Sequence, residues 1–122
     1  MKKILIVDSD QQVTAILELK LKQANFEVKT LSRTVNALKV LKEFCPDLII
    51  SEMVLPELSG VDFLKRVKMN PEISSIPFMF LSSSRNVEDK ILAHEMGAEA
   101  FFMKPIFIKV LIQRIKDFFE QA

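Results

Sequence analysis

Five short strand-like runs, each followed by a stretch of helical period, narrow what this chain can fold into. The runs cover residues 4–7, 26–30, 48–50, 78–81 and 100–103. Leu48, Ile49 and Ile50 show no polar alternation, the pattern of a parallel strand buried on both faces. Between the runs, Val13, Ile16, Leu17, Leu21 and Ala24 recur at helical spacing, with Asp10 placed to cap the helix that carries them. Ser32 is expected to cap a second helix reaching about residue 44, with Val35, Leu38 and Leu41 turned inward. Val61, Leu64 and Val67 mark a third helix, closed by Asn70-Pro71. A fourth is expected over residues 87–96, capped by Asn86 or the serines before it and followed by Gly97, and a fifth from residue 106 to about 119. Alternation of this kind predicts a parallel sheet with right-handed crossovers and helices on both faces. Strand order 2-1-3-4-5 is the common solution at this length, and it sets strands one and three side by side at a switch point.

Chemistry in such sheets collects at the carboxyl ends of the strands. Asp8 follows the first strand, Glu52 the third and Lys104 the fifth. Two carboxylates at neighbouring strand ends repel unless a cation or a lysine lies between them, and Lys104 is the candidate. The competing reading of Glu52 is a solvated loop residue.

Composition removes several function classes. The chain has 122 residues, enough for one domain with a proper core, and 49% hydrophobic residues, too many for a disordered segment. Seventeen basic residues stand against 16 acidic ones without blocks, which gives no reason to expect nucleic acid or an anionic membrane as partner. A single cysteine, Cys45, suits a reducing cytoplasm, and the four apolar residues after Lys3 are too few for a secretory core or a membrane span. Gly60 and Gly97 are the only glycines, so a glycine-rich phosphate cradle of a nucleotide-binding enzyme is not expected. A small flavin-binding protein is the rival from another class, and the same shortage argues against it.

The segments ILIVDSD, PDLIISEMVLPELSG, IPFMFLSSS, GAEAFF and MKP occur in this order. Together they resemble the receiver domain of two-component response regulators along the whole chain, residues 1–122. The resemblance implies a flavodoxin-like (βα)5 fold with three α/β/α layers. It also implies a site in which two acidic residues after strand one and an aspartate after strand three hold Mg²⁺, the latter taking a phosphoryl group from a histidine kinase. Carried over, Asp8 is the first of the acidic pair and Ser9 replaces the second. Glu52 stands at the phosphoacceptor position and the Val54 carbonyl at the third protein contact to metal. Ser82 and Lys104 match the groups that bind phosphoryl oxygens, Phe101 the switch aromatic, and Lys104-Pro105 the family's cis peptide. Ser59 stands where the family usually has aspartate.

The departures carry a cost. Ser9 removes one formal charge beside a dication, about 8 kcal/mol at ~4 Å and an effective dielectric of ~20, most of it replaced by hydration. Mg²⁺ is expected to bind weakly, and no cofactor is required. The extra methylene of Glu52 moves its carboxylate by ~1.5 Å, and displacements of ~1 Å cost on the order of a hundredfold in reactions governed by positioning. The expected function is therefore a pseudo-receiver, not an enzyme, that acts as a phosphorylation-independent interaction module with Glu52 paired to Lys104. The alternative is a working phosphoacceptor in a histidine-kinase phosphorelay. Residues Ile106, Phe107, Ile108 and Val110 make the start of the last helix apolar nearly all round. They predict an interaction surface on the fourth-helix, fifth-strand, fifth-helix face for a protein partner or a second copy. Nucleic acid and membrane are not expected partners.

Overall fold

The computed structural model describes residues 1–121. Its five strands are β1 (Lys3–Val7), β2 (Glu27–Leu31), β3 (Leu48–Ser51), β4 (Phe78–Ser82) and β5 (Ala100–Met103). They alternate with α1 (Gln11–Gln23), α2 (Ala37–Phe44), α3 (Gly60–Met69), α4 (Val87–Glu95) and α5 (Ile108–Gln121). The sheet is parallel in the order β2-β1-β3-β4-β5, as expected. Because β1 lies between β2 and β3, its last residue Val7 is level with both Leu31 and Ser51. The residues that follow β1 and β3, Asp8 and Glu52, therefore emerge side by side.

Successive strand side chains point to opposite faces, which divides the core in two. Leu5, Val7, Ile49, Phe78 and Phe80 pack with Leu41, Phe63, Leu64, Val67 and Ala93 from α2, α3 and α4. Ile4, Ile6, Leu48, Ile50, Met79 and Leu81 pack on the other side with Leu17 and Leu21 of α1 and Leu111 and Ile115 of α5. Three layers result, with β1, β3 and β4 apolar on both faces because both are covered.

Helix ends follow the capping residues in three cases. Asp10 accepts from the Gln12 and Val13 N–H groups, Ser59 from Asp62, and Asn86 from Glu88. Asn70 closes α3, and Gly97 takes a φ of 95° after α4, a left-handed position that only glycine adopts freely. Lys104-Pro105 is cis.

Two expectations need correction. Ser32 does not cap α2, which begins only at Ala37 after Asn36 in the left-handed conformation. The cause is the length of β2: Leu31 still pairs with Val7, and its carbonyl accepts from Asp8. Ser32 to Asn36 are thus spent on the turn, and Val35 is exposed. In α1 the buried line is Thr14, Leu17 and Leu21, while Ile16 points to solvent. Smaller shifts affect α5, which starts at Ile108 with the Phe107 carbonyl accepting from Val110 and Leu111.

Candidate functional site

Asp8, Glu52 and Lys104 meet at the carboxyl end of the sheet. Both carboxylates are buried, Asp8 at 3% and Glu52 at 4% exposure, which removes the reading of Glu52 as a solvated loop residue. Lys104 Nζ lies 2.7 Å from Asp8 Oδ2 and 3.3 Å from Glu52 Oε1. The pairing of Glu52 with Lys104 is present, but the shorter contact is to Asp8.

Glu52 gathers more donors than the lysine. The Met53 N–H donates to Oε2 at 2.6 Å and the Val54 N–H at 3.2 Å. The Ser83 N–H is shared between Oε1 at 2.9 Å and Oε2 at 3.2 Å. Burial pushes the Glu52 carboxyl up, but hydrogen bonds from the Ser82 hydroxyl, from Ser83 and from the Val54 N–H outweigh it and hold the group below its ordinary value. Burial likewise pulls the Lys104 ammonium down. The hydrogen bond and charge of Asp8, then those of Glu52, reverse this and hold it above its ordinary value. Glu52 is thus held as a carboxylate and Lys104 as an ammonium at neutral pH, with the Asp8 side chain against the same ammonium.

Neighbouring elements fix this geometry. Gly60 opens α3 directly against the Glu52 loop, its N–H donating to the Met53 carbonyl at 2.8 Å. A Cβ there would press on the Glu52 carbonyl oxygen and come within 2.7 Å of Met53 Cα and 2.9 Å of the Phe80 ring. Beyond β4, the Ser82 hydroxyl accepts from the Ser84 N–H, and Ser84 Oγ donates to Asp89 Oδ2 of α4 at 2.6 Å. Arg85 reaches across to the Lys104 carbonyl at 3.3 Å, tying the β4–α4 loop to the β5–α5 loop. Phe101 is half-buried on β5, its ring 6.0 Å from that of Phe80.

Mg²⁺ takes several oxygen ligands in near-octahedral geometry, usually one or two of them carboxylates. The side chains here do not fit that demand as arranged. Lys104 stands between the two carboxylates, Asp8 Oδ1 accepts from the Asp10 N–H at 2.9 Å, and both Glu52 oxygens accept backbone N–H groups. Ser9 is exposed, the Asp10 carboxylate is engaged on α1, and Val54 turns its N–H toward Glu52. Among the described residues, no group of three or more His, Cys, Asp or Glu side chains is placed to hold a metal ion.

The apolar start of α5 divides. Phe107 is 84% exposed and Val110 48%. Ile106 and Ile108 are partly buried against the core around Leu111, so Phe107 and Val110 are the more outward of the four. Helical period explains the split, since Ile108, Leu111, Ile112 and Ile115 form one inward stripe. Val87, Ile91 and Leu92 of α4 and Met103 of β5 add further exposed apolar side chains.

Sequence reasoning placed Asp8, Glu52, Ser82 and Lys104 together. It missed the Ser83 and Met53 N–H donors, because every residue but proline carries an N–H and the sequence does not say where it points.

The sequence model of the response regulator receiver domain matches residues 4–116. The transcriptional regulatory protein GltR of Pseudomonas aeruginosa is 29% identical over 121 residues, covering 99% of this chain and 50% of that protein. The alkaline phosphatase synthesis transcriptional regulatory protein PhoP of Bacillus subtilis is 30% identical over 115 residues, covering 94% and 47%. The chain thus spans about half the length of these relatives. Among solved structures, a response regulator from Desulfuromonas acetoxidans superposes with a TM-score of 0.91 at 29% identity, covering 100% of this chain and 99% of that one. No helix among the described residues is long and apolar enough to cross a membrane. With the family's sequence pattern and its fold both present over nearly the whole length, the chain belongs to the response regulator receiver domain family of two-component signalling.

Proposed function

We propose that this receiver domain works as a protein-interaction module held in one state without phosphoryl transfer. One observation carries the reading: the Glu52 carboxylate already collects the Ser83 N–H and the Lys104 ammonium at the strand ends where Ser82 also stands. Ser82 and Lys104 occupy the positions from which the family binds phosphoryl oxygens. The longer side chain of Glu52 carries its charge out to them, so a carboxylate stands where a phosphoryl group would be held. The nucleophilic oxygens are also spent, since Oε1 and Oε2 both accept N–H hydrogen bonds that an incoming phosphoryl donor would have to displace. Output passes through the α4–β5–α5 face, where Ile91, Met103, Phe107 and Val110 are exposed, to a protein partner or a second copy.

The test is intact-mass measurement after incubation with acetyl phosphate and Mg²⁺. The wild-type chain is expected to gain no phosphoryl group. Glu52→Asp, which withdraws the carboxylate by ~1.5 Å from those donors, is expected to gain one. A wild-type adduct mapped to Glu52 overturns the proposal in favour of a working phosphoacceptor.

A further inference from the structure

Lys104 does more in this site than pair with Glu52. Its ammonium bridges two buried carboxylates that follow different strands, at 2.7 Å and 3.3 Å, and its own side chain is 19% exposed. All four carboxylate oxygens have donors. Asp8 Oδ1 takes the Asp10 N–H and Oδ2 takes Lys104; Glu52 Oε1 takes Lys104 and Ser83, and Oε2 takes Met53, Val54 and Ser83. A divalent ion entering between them would have to displace the ammonium, because two positive centres cannot share that space. It would also find no third carboxylate, since Ser9 offers only a hydroxyl and Asp10 is engaged in capping α1.

We infer that the Lys104 ammonium takes the place of the divalent cation, bridging Asp8 and Glu52 so that the domain keeps its site closed without metal. The inference rests on the same closed site as the proposed function, but it concerns the cation and not the phosphoryl group. A chain that binds metal and still refuses acetyl phosphate would end this inference and leave that proposal standing.

Mn²⁺ is the probe, read by paramagnetic broadening of amide signals in a two-dimensional NMR spectrum, with Mg²⁺ as diamagnetic competitor. In the wild-type chain at millimolar Mn²⁺, the amides of residues 8–10, 52–54 and 83 are expected to keep their intensity. In Lys104→Met the two carboxylates lose their bridging cation, and the same amides are expected to broaden saturably, with recovery on adding Mg²⁺. Binding should be at least about tenfold tighter than in the wild type. Lys104→Gln, which keeps a polar side chain of similar reach, gives the same comparison should the methionine variant lose its dispersed spectrum. Saturable, Mg²⁺-reversible broadening at those residues in the wild type overturns the inference. Silence in the wild type and in both variants overturns the part assigned to Lys104.

Discussion

Replacing Lys104 by methionine tests how tightly the three charges depend on one another. The side chain keeps its length and packing but loses the ammonium. Both carboxylate oxygens lie within 3.3 Å of that one nitrogen, so they stand no more than about 6 Å apart, and at ~5 Å with an effective dielectric of ~20 their repulsion is about 3 kcal/mol. Solvent offers little relief, because each carboxylate side chain is only 4% exposed. Removing one member of a buried ion pair costs about 3–5 kcal/mol in general, so the two estimates meet at about 3 kcal/mol. Acid should reduce the loss: one carboxylate takes up a proton more readily once the ammonium is gone, and the repulsion falls with it. The assay is urea unfolding of wild type and variant near neutral pH and again near pH 5, with the slope checked for constancy. The variant should be less stable by about 3 kcal/mol near neutrality, with a smaller difference near pH 5. A difference below about 0.5 kcal/mol near neutrality, or one that grows on acidification, would refute the reasoning.

Gly60→Ala forces a methyl group into the Met53 backbone and the Phe80 ring, and should cost about 2–3 kcal/mol in chemical unfolding while shifting the amide signals of residues 52–54. Asp10→Ala removes the acceptor for the first N–H groups of α1 and should cost about 1 kcal/mol, with the Asp8 cluster unchanged by NMR. Glu52 is held below its ordinary value of 4.5, so the stability it contributes is present above that value and lost as pH falls through the lower, folded one. Lys104 is held above 10.5, so its contribution is present below that value and lost as pH rises through the folded one. Thermal unfolding across pH should therefore lose part of its acid limb in Glu52→Gln and part of its alkaline limb in Lys104→Met; unchanged limbs would contradict the charge assignments.

How far the sequence could be read follows from the kind of interaction involved. The runs at 48–50 and 78–81 were legible because a strand covered on both faces is apolar along its length, and each strand runs one residue further, to Ser51 and Ser82. Asp10 and Asn86 were legible as caps because their side chains satisfy local N–H groups a few residues away. The start of α2 was not, since Asn36 enters it from a left-handed conformation with no side-chain cap, and how far β2 runs is decided by pairing with β1. At the site, the positions of Asp8, Glu52 and Lys104 followed from the strand ends. The division of Lys104 between two carboxylates did not, because it depends on side-chain reach across three strands. How far Ile106 and Ile108 turn inward was hidden for a similar reason: composition shows that a helix is apolar all round, while only the neighbouring core decides which side turns in.

The most direct measurement is a two-dimensional amide NMR titration of the wild-type chain with Mg²⁺ and then beryllofluoride, a mimic of the bound phosphoryl group. With the Glu52 carboxylate already on the Ser83 and Lys104 donors, the signals of Val54, Ser83, Phe101 and Lys104 should not move. Shifts spreading from residues 8, 52 and 54 to Ser82, Phe101 and Lys104 would contradict the account, because they would mean that the site still opens to a phosphoryl group and the switch still responds.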